Sequence, residues 1–168
     1  MEIQTERLQL KPICRENLGE LAQLLMNDVV KKTYMVPDFA NLSEALKLAD
    51  RIRVLSEDPS RNVAGIYLGE TLIGILNETD RTQDSVEVGY ALLPAYYNQG
   101  YATEALRAVF PHFFAQGFRS VVAGAFEENA ASIRVMVKSG MRKEDRQDNV
   151  EYRGKNHRCV YYSIEKTI

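Results

Sequence analysis

Tryptophan is absent from the 168 residues, and there are only two cysteines and two histidines. Cys14 and Cys159 stand far apart, with no Cys-x-x-Cys and no Cys/His cluster, which indicates neither a disulfide framework nor a zinc site. That usage fits a reducing cytoplasm. No apolar run approaches the roughly 20 residues that a membrane-spanning helix needs, and the first residues are acidic and polar where a secretory signal has its apolar stretch. The expectation is a cytoplasmic protein without a membrane partner, so the sequons at Asn41 and Asn77 are accidents of composition. An excess of one charge is lacking too: 21 Lys and Arg stand against 23 Asp and Glu, a net charge of -2. This argues against a nucleic-acid surface. Neither a Gly-x-Gly-x-x-Gly run nor a P-loop Gly-Lys-Ser/Thr occurs, which speaks against nucleotide hydrolysis.

What is present suffices for one domain over residues 1–168, with 45% hydrophobic and 26% charged residues. A chain of this size buries roughly 70% of its unfolded surface. Ile3 to Ile13 alternates partly and reads as a first strand. From Arg15 to Asn27, Leu18, Leu21, Leu24 and Leu25 recur at helical spacing. A second helix is predicted from Leu42 to Ser56, with Asn41 as N-cap, Glu44 as its reciprocal partner, and Ala45, Leu48, Ala49, Ile52 and Leu55 on one face. Asn62 to Leu68 and Thr71 to Thr79 are strands joined by a Gly69-Glu70 hairpin. Arg81 to Asp84 turns the chain into a strand from Ser85 to Leu93.

The stretch that organises the chain follows: Glu87 to Ala105, EVGYALLPAYYNQGYATEA. An apolar strand passes Pro94 into an aromatic and amide turn and reaches Gly100 where a helix pattern begins. The first turn of a helix leaves N–H groups without intrahelical partners, its dipole favours anions, and a glycine lets a diphosphate approach the main chain. An ordinary strand-to-helix corner is the plain alternative. Tyr97, Asn98, Gln99, Gly100, Tyr101 and Ala102 resemble the acyl-coenzyme-A signature of the GNAT N-acetyltransferases: Gln or Arg, two residues, Gly, one residue, Gly or Ala. In the RimJ/RimL-like branch an aromatic is usual at the place of Tyr97 and a glycine at that of Asn98. The opening TERLQLKP is similar to the first strand of the same branch.

The helix after the turn, Ala102 to Gln116, carries Ala105, Leu106, Val109, Phe110 and Phe113 on one face, with Pro111 inside it and Gly117 as its stop. Ser120 to Phe126 reads as a buried strand. Then EENAASIRVMVKSGM sets Asn129 and Ser132 at the family's Asn-x-x-Ser spacing, ahead of a helix with Ile133, Val137 and Met141 and a stop at Gly140. Asn129 alone reads as a plain N-cap. Arg142 to Tyr152 is charged and holds a strand and a loop, and Cys159 to Glu165 is a last strand.

The resemblance implies an α/β fold: a single GNAT-like domain with a mixed, mostly antiparallel six- to seven-stranded sheet, a central splayed strand pair near Leu92 and Leu93, and helices on both faces. It implies acetyl-CoA as cosubstrate and no metal. Tyr90, Ala91 and Leu92 would offer backbone to the pantetheine arm, Asn98, Gln99, Gly100, Tyr101, Ala102 and Thr103 would hold the diphosphate, and Asn129 and Ser132 would touch the arm further along. Tyr34, Met35 and Phe39 would either line the acceptor groove or pack between the first two helices.

The implied reaction is direct attack of a primary amine, a protein N-terminus or a small-molecule amine, on the acetyl thioester. Some GNAT subfamilies place a tyrosine acid seven residues beyond the Asn, where this chain has Met136, so Ser132 is the candidate acid, or else an ordinary helix serine. The carboxylate five residues before the Asn is replaced by Gly124, which leaves Glu151 and Glu87 as candidate bases, beside water. Each has a structural alternative, a solvated charge for Glu151 and a cross-strand ion pair for Glu87. His112 and His157 are tempting as bases too, but His112 belongs to the crossover helix and reads as structural. The partners expected are acetyl-CoA and an amine acceptor, no nucleic acid, no membrane, in a monomer or homodimer. The second function class is a non-catalytic acyl-CoA-binding or sensing domain.

Overall fold

The computed structural model describes residues 1–167. Along them run β1 (Ile3–Gln4), β2 (Gln9–Lys11), α1 (Leu18–Met26), α2 (Leu42–Glu57), β3 (Val63–Leu68), β4 (Thr71–Arg81), β5 (Ser85–Leu92), α3 (Tyr101–Ala115), β6 (Ser120–Phe126), α4 (Ala130–Lys138), β7 (Arg142–Tyr152) and β8 (Lys155–Glu165). The strands form one mixed, mostly antiparallel sheet in the order β1-β2-β3-β4-β5-β6-β8-β7, with β5 and β6 parallel. Two compact units share these elements: one holds Met1–Asn77 and Tyr90–Ala105, the other Glu78–Gly89 and the chain from Leu106 onward.

The sheet has eight strands where six to seven were expected. The surplus comes from Ile3 to Ile13, which is not one strand but the antiparallel pair β1 and β2. Thr5 breaks the run: its N–H donates to Leu8 O at 2.9 Å and its Oγ1 accepts from Leu8 N–H at 2.8 Å. A hydroxyl offering the backbone a local partner is what ends regular pairing here.

In the first unit, α1 buries Leu21, Leu24 and Leu25, with Leu18 partly covered, against Ala45 and Ala49 of α2 and against β-strand residues such as Tyr67, Leu72 and Ile75. Asn41 caps α2 by accepting from Glu44 N–H at 3.1 Å, and Glu44 reaches back to Ala40 N–H at 2.9 Å, one residue before the expected reciprocal partner. Leu48 and Ile52 pack on the core, but Leu55 does not: it is 40% exposed. Arg53 and Ser56 are buried instead, because both are satisfied. Arg53 pairs with Asp50 and Glu57, and Ser56 Oγ accepts from Ile13 N–H and donates to Arg53 O. In the α1–α2 link, Tyr34 and Phe39 pack on the core, Tyr34 donates to Asn77 Oδ1 at 2.7 Å, and Met35 is exposed. The packing role therefore holds for Tyr34 and Phe39. Burial pushes the Tyr34 phenol up to about 12. The β3–β4 hairpin turns at Gly69, whose φ of +59° is the positive value expected of it.

In the second unit the β5–β6 ladder runs from Ser85↔Ser120 to Val88↔Ala123 and stops before either strand ends, as a splayed pair requires. Leu106, Val109, Phe110 and Phe113 of α3 are all buried. Pro111 sits inside that helix without ending it, and Gly117, at φ +103°, follows its last turn. β8 lies between β6 and β7. The charged stretch Arg142–Tyr152 is one strand of 11 residues rather than a strand and a loop, and it returns through a tight turn at Arg153 and Gly154 with φ values of +53° and +70°. In α4 the fully buried residue is Met136, whereas Val137, expected on the apolar face, is 54% exposed. No helix among the described residues is long and apolar enough to cross a membrane.

Candidate active site

The end of β5 is built by a close approach. A Cβ added at Gly74 of β4 would stand 2.3 Å from Ala91 O and 2.5 Å from Leu92 Cδ2, so only glycine lets these backbones come together. Leu93 N–H then donates to Ile73 O at 2.8 Å, and a single 3-10 turn over Pro94–Tyr96 redirects the chain. Asn98 follows in the left-handed region at φ +59°. That explains the glycine usual in the branch, and why asparagine serves: it is the non-glycine residue that tolerates this conformation best.

Gly100, at φ +83°, starts α3, whose Glu104 N–H donates to Gly100 O at 3.0 Å. The N–H groups of Tyr101, Ala102 and Thr103 precede that bond and form the positive end of the helix. A Cβ at Gly100 would meet nothing within 4 Å except Arg7 Nη2 at 3.3 Å. The main chain is thus approachable and a guanidinium stands beside it, which fits a diphosphate.

Arg7 is fixed there by Glu104. Glu104 Oε1 accepts from Thr5 Oγ1 at 2.6 Å and from Arg7 N–H at 2.9 Å, and Oε2 pairs with the Arg7 guanidinium at 2.7 Å. Arg7 also donates to Gln99 O at 3.0 Å and lies 4.5 Å over the Tyr101 ring. Desolvation works to raise the Glu104 carboxyl, but the Thr5 and Arg7 hydrogen bonds and the Arg7 charge together hold it below its usual range. Sequence reasoning placed TERLQLKP as a strand and assigned Thr5, Arg7 and Glu104 no part in the turn. The signal available was a Thr and an Arg in one short polar break, but nothing local says that the partner lies on α3.

In the second unit, Asn129 caps α4: Oδ1 accepts from Ser132 N–H at 3.2 Å. Its Nδ2 makes no hydrogen bond among the described residues, so capping leaves a donor for a ligand carbonyl. Met136 is fully buried and has no proton to give. A Cβ at Gly124 would fall 2.8 Å from the Tyr161 ring, so the ring occupies the place of the subfamily carboxylate. Tyr161 in turn lies under Arg146, whose Cζ is 3.7 Å from the ring centroid, and burial pushes its phenol up.

Glu87 takes the ion-pair alternative: Oε2 accepts from Arg146 Nη1 at 3.1 Å, and Oε1 from Thr79 Oγ1 at 3.3 Å. Glu151 stands exposed on β7 opposite Asn156, with no ion pair among the described residues. His112 contacts Gln116, and His157, the other histidine considered from sequence, contacts Glu128 at 2.5 Å. Among the described residues no three His, Cys, Asp or Glu side chains group as metal ligands.

Residues 7–142 match the family described as the acetyltransferase (GNAT) domain. The chain is 26% identical over 147 residues to the uncharacterized N-acetyltransferase YoaA of Bacillus subtilis (strain 168), covering 84% of this chain and 83% of that protein. In fold it is similar to RimL, a ribosomal L7/L12 alpha-N-protein acetyltransferase solved with coenzyme A, at a TM-score of 0.84, 20% identity and 98% coverage of both chains. It is also similar to the microcin C7 self-immunity acetyltransferase MccE, solved with acetyl-CoA and AMP, at a TM-score of 0.82 and 16% identity over 96% of this chain and 94% of that one.

Proposed function

The chain belongs to the GNAT family of acetyl-CoA-dependent acetyltransferases, and on that premise we propose that it N-acetylates a primary amine, either a protein N-terminus or a small-molecule amine, by direct attack. The observation that carries the cosubstrate site is the left-handed Asn98 and Gly100 pair at the start of α3 with Arg7 beside it. The likeness to RimL supports a protein N-terminus as one acceptor class.

The cosubstrate supplies an acetyl group already activated as a thioester. The N–H groups of Asn98 to Thr103 hold its diphosphate, the backbone of Tyr90, Ala91 and Leu92 holds the arm, and Asn129 donates to it through Nδ2. Such positioning supplies much of the rate, and backbone donors stabilise the charge that develops on the carbonyl oxygen. Ser132 gives the departing sulfur its proton. Of the two carboxylates, Glu87 is committed to Arg146, and Glu151 lacks a group to orient it.

The test is thiol release from acetyl-CoA with a panel of peptides bearing free N-termini and of small alkylamines. Release with at least one class, and an acetylated amine identified by mass, is the expected result. Tight binding of acetyl-CoA with no release in the whole panel would instead make this a binding or sensing domain.

A further inference from the structure

An amine that arrives protonated must lose a proton before it can attack, so the site needs an acceptor that is oriented and not already engaged. His157 on β8 meets both conditions. Its side chain is 10% exposed, its ring stacks on Phe126 with centroids 4.1 Å apart and planes at 14°, and Tyr152 of β7 lies at 6.3 Å. Nδ1 is 2.5 Å from Glu128 Oε1. An ionised carboxylate only accepts, so this bond keeps the proton of the neutral ring on Nδ1 and leaves the lone pair on Nε2. Nε2 makes no hydrogen bond among the described residues. Glu128 is held below the usual carboxylate range by its own backbone N–H, then by His157, with Lys155 adding its charge.

Position adds to this. Glu128 directly precedes Asn129. Asn129 N–H donates to Phe126 O at 2.8 Å, and the ring of the same Phe126 carries His157. Glu128 and Asn129 therefore share the short connection between β6 and α4, Ser132 lies in the first turn of α4, and the His157 imidazole of β8 packs against Phe126 and Glu128 at that connection.

We propose that His157, oriented by Glu128, is the general base of the acetyl transfer; this rests on the N-acetyltransferase reading above. The ammonium gives one proton to Nε2. The freed lone pair forms the C–N bond, the C–S bond breaks with its electrons on sulfur, and Ser132 protonates the thiolate. The second proton leaving nitrogen returns through solvent to Ser132, and His157 releases the first to bulk. The charged and titratable groups around the ring are Glu128 and Glu127 from the connection, Lys155, Arg158 and Cys159 on β8, Tyr152 on β7 and Arg153 in the turn that follows it; Lys155 Nζ lies 3.8 Å from Glu128 Oε1, Arg158 3.9 Å from Glu127.

Two readouts test the base. In the labelled native protein the nitrogen shifts of both histidines are followed with pH, and His112→Gln assigns them, since the chain has only two. The Nδ1–H tautomer is expected for neutral His157, and an Nε2–H tautomer overturns the proposal whether or not any variant folds. In kinetics, His157→Gln should lower kcat by about a hundredfold and remove the acidic limb of kcat/KM for the amine. KM for acetyl-CoA should stay within about twofold, because the imidazole moves a proton and holds none of the cofactor. Glu128→Gln should lower kcat as well, because an amide nitrogen can donate to the ring and no longer fixes the proton on Nδ1. Turnover of His157→Gln within about twofold of native, or an unchanged limb, overturns the base alone. A native protein that binds coenzyme A yet releases no thiol with any amine overturns the acetyltransferase reading, and the base with it.

Discussion

At Asn129 the cap of α4 and the proposed bond to the pantetheine arm fall on one side chain, and a single substitution separates them. Asn129→Ala removes the cap of α4 and should cost about 1 kcal/mol of stability, read as a lower urea midpoint. If Nδ2 also bonds the arm, the same variant should bind coenzyme A more weakly by calorimetry. A loss of stability with unchanged binding would leave Asn129 a cap and nothing more. Ser132→Ala tests the acid: kcat should fall by about a hundredfold or less, because a thiolate leaves readily, while KM for acetyl-CoA changes little. Turnover within twofold and a raised KM would make Ser132 a binding residue. The Asn129 cap of α4 was legible because its spacing to Ser132 is local. His157 stood out as one of two histidines, but its pairing with Glu128 was not legible, since that partner lies on another element.

At the scale of elements, the Thr5–Arg7–Glu104 clamp decides how firmly the start of α3 is held. Glu104 has a depressed carboxyl. The stability it contributes is therefore present above its unfolded value of about 4.3 and is lost as pH falls through the lower folded value. Glu104→Gln should flatten the fall in urea midpoint between about pH 4.3 and the more acid end, relative to native, and should weaken coenzyme A binding at neutral pH by freeing Arg7 and Gln99. An identical acid limb in both proteins would show that the clamp contributes nothing. Helices α1 and α2 were readable from periodicity, because each buries one stripe, and β6 from its short continuous apolar run, buried along nearly its whole length. Leu55 and Val137 were misjudged since the stripe drifts around a helix at its ends, where satisfied polar groups such as Arg53 and Ser56 compete for burial. The β7–β8 hairpin escaped notice because positive φ at Arg153 is rare for a non-glycine residue, and charged strand residues hide the alternation.

For the whole molecule, the sheet order β1-β2-β3-β4-β5-β6-β8-β7 goes beyond periodicity. The parallel β5–β6 pair followed from a strand, helix and strand in succession, whereas the insertion of β8 between β6 and β7 depends on pairing that no local pattern encodes. Whether main-chain donors at the turn before α3 hold coenzyme A is tested most directly by the shift in Tm on adding coenzyme A to the native protein and to Gly100→Leu. A ligand at a hundred times its Kd stabilises by about 2.7 kcal/mol, and for a chain of this size each kcal/mol moves Tm by roughly 2 to 4 °C. A rise of about 5 to 10 °C is expected for the native protein and none for Gly100→Leu, measured from its own ligand-free Tm. An equal rise in both would contradict it.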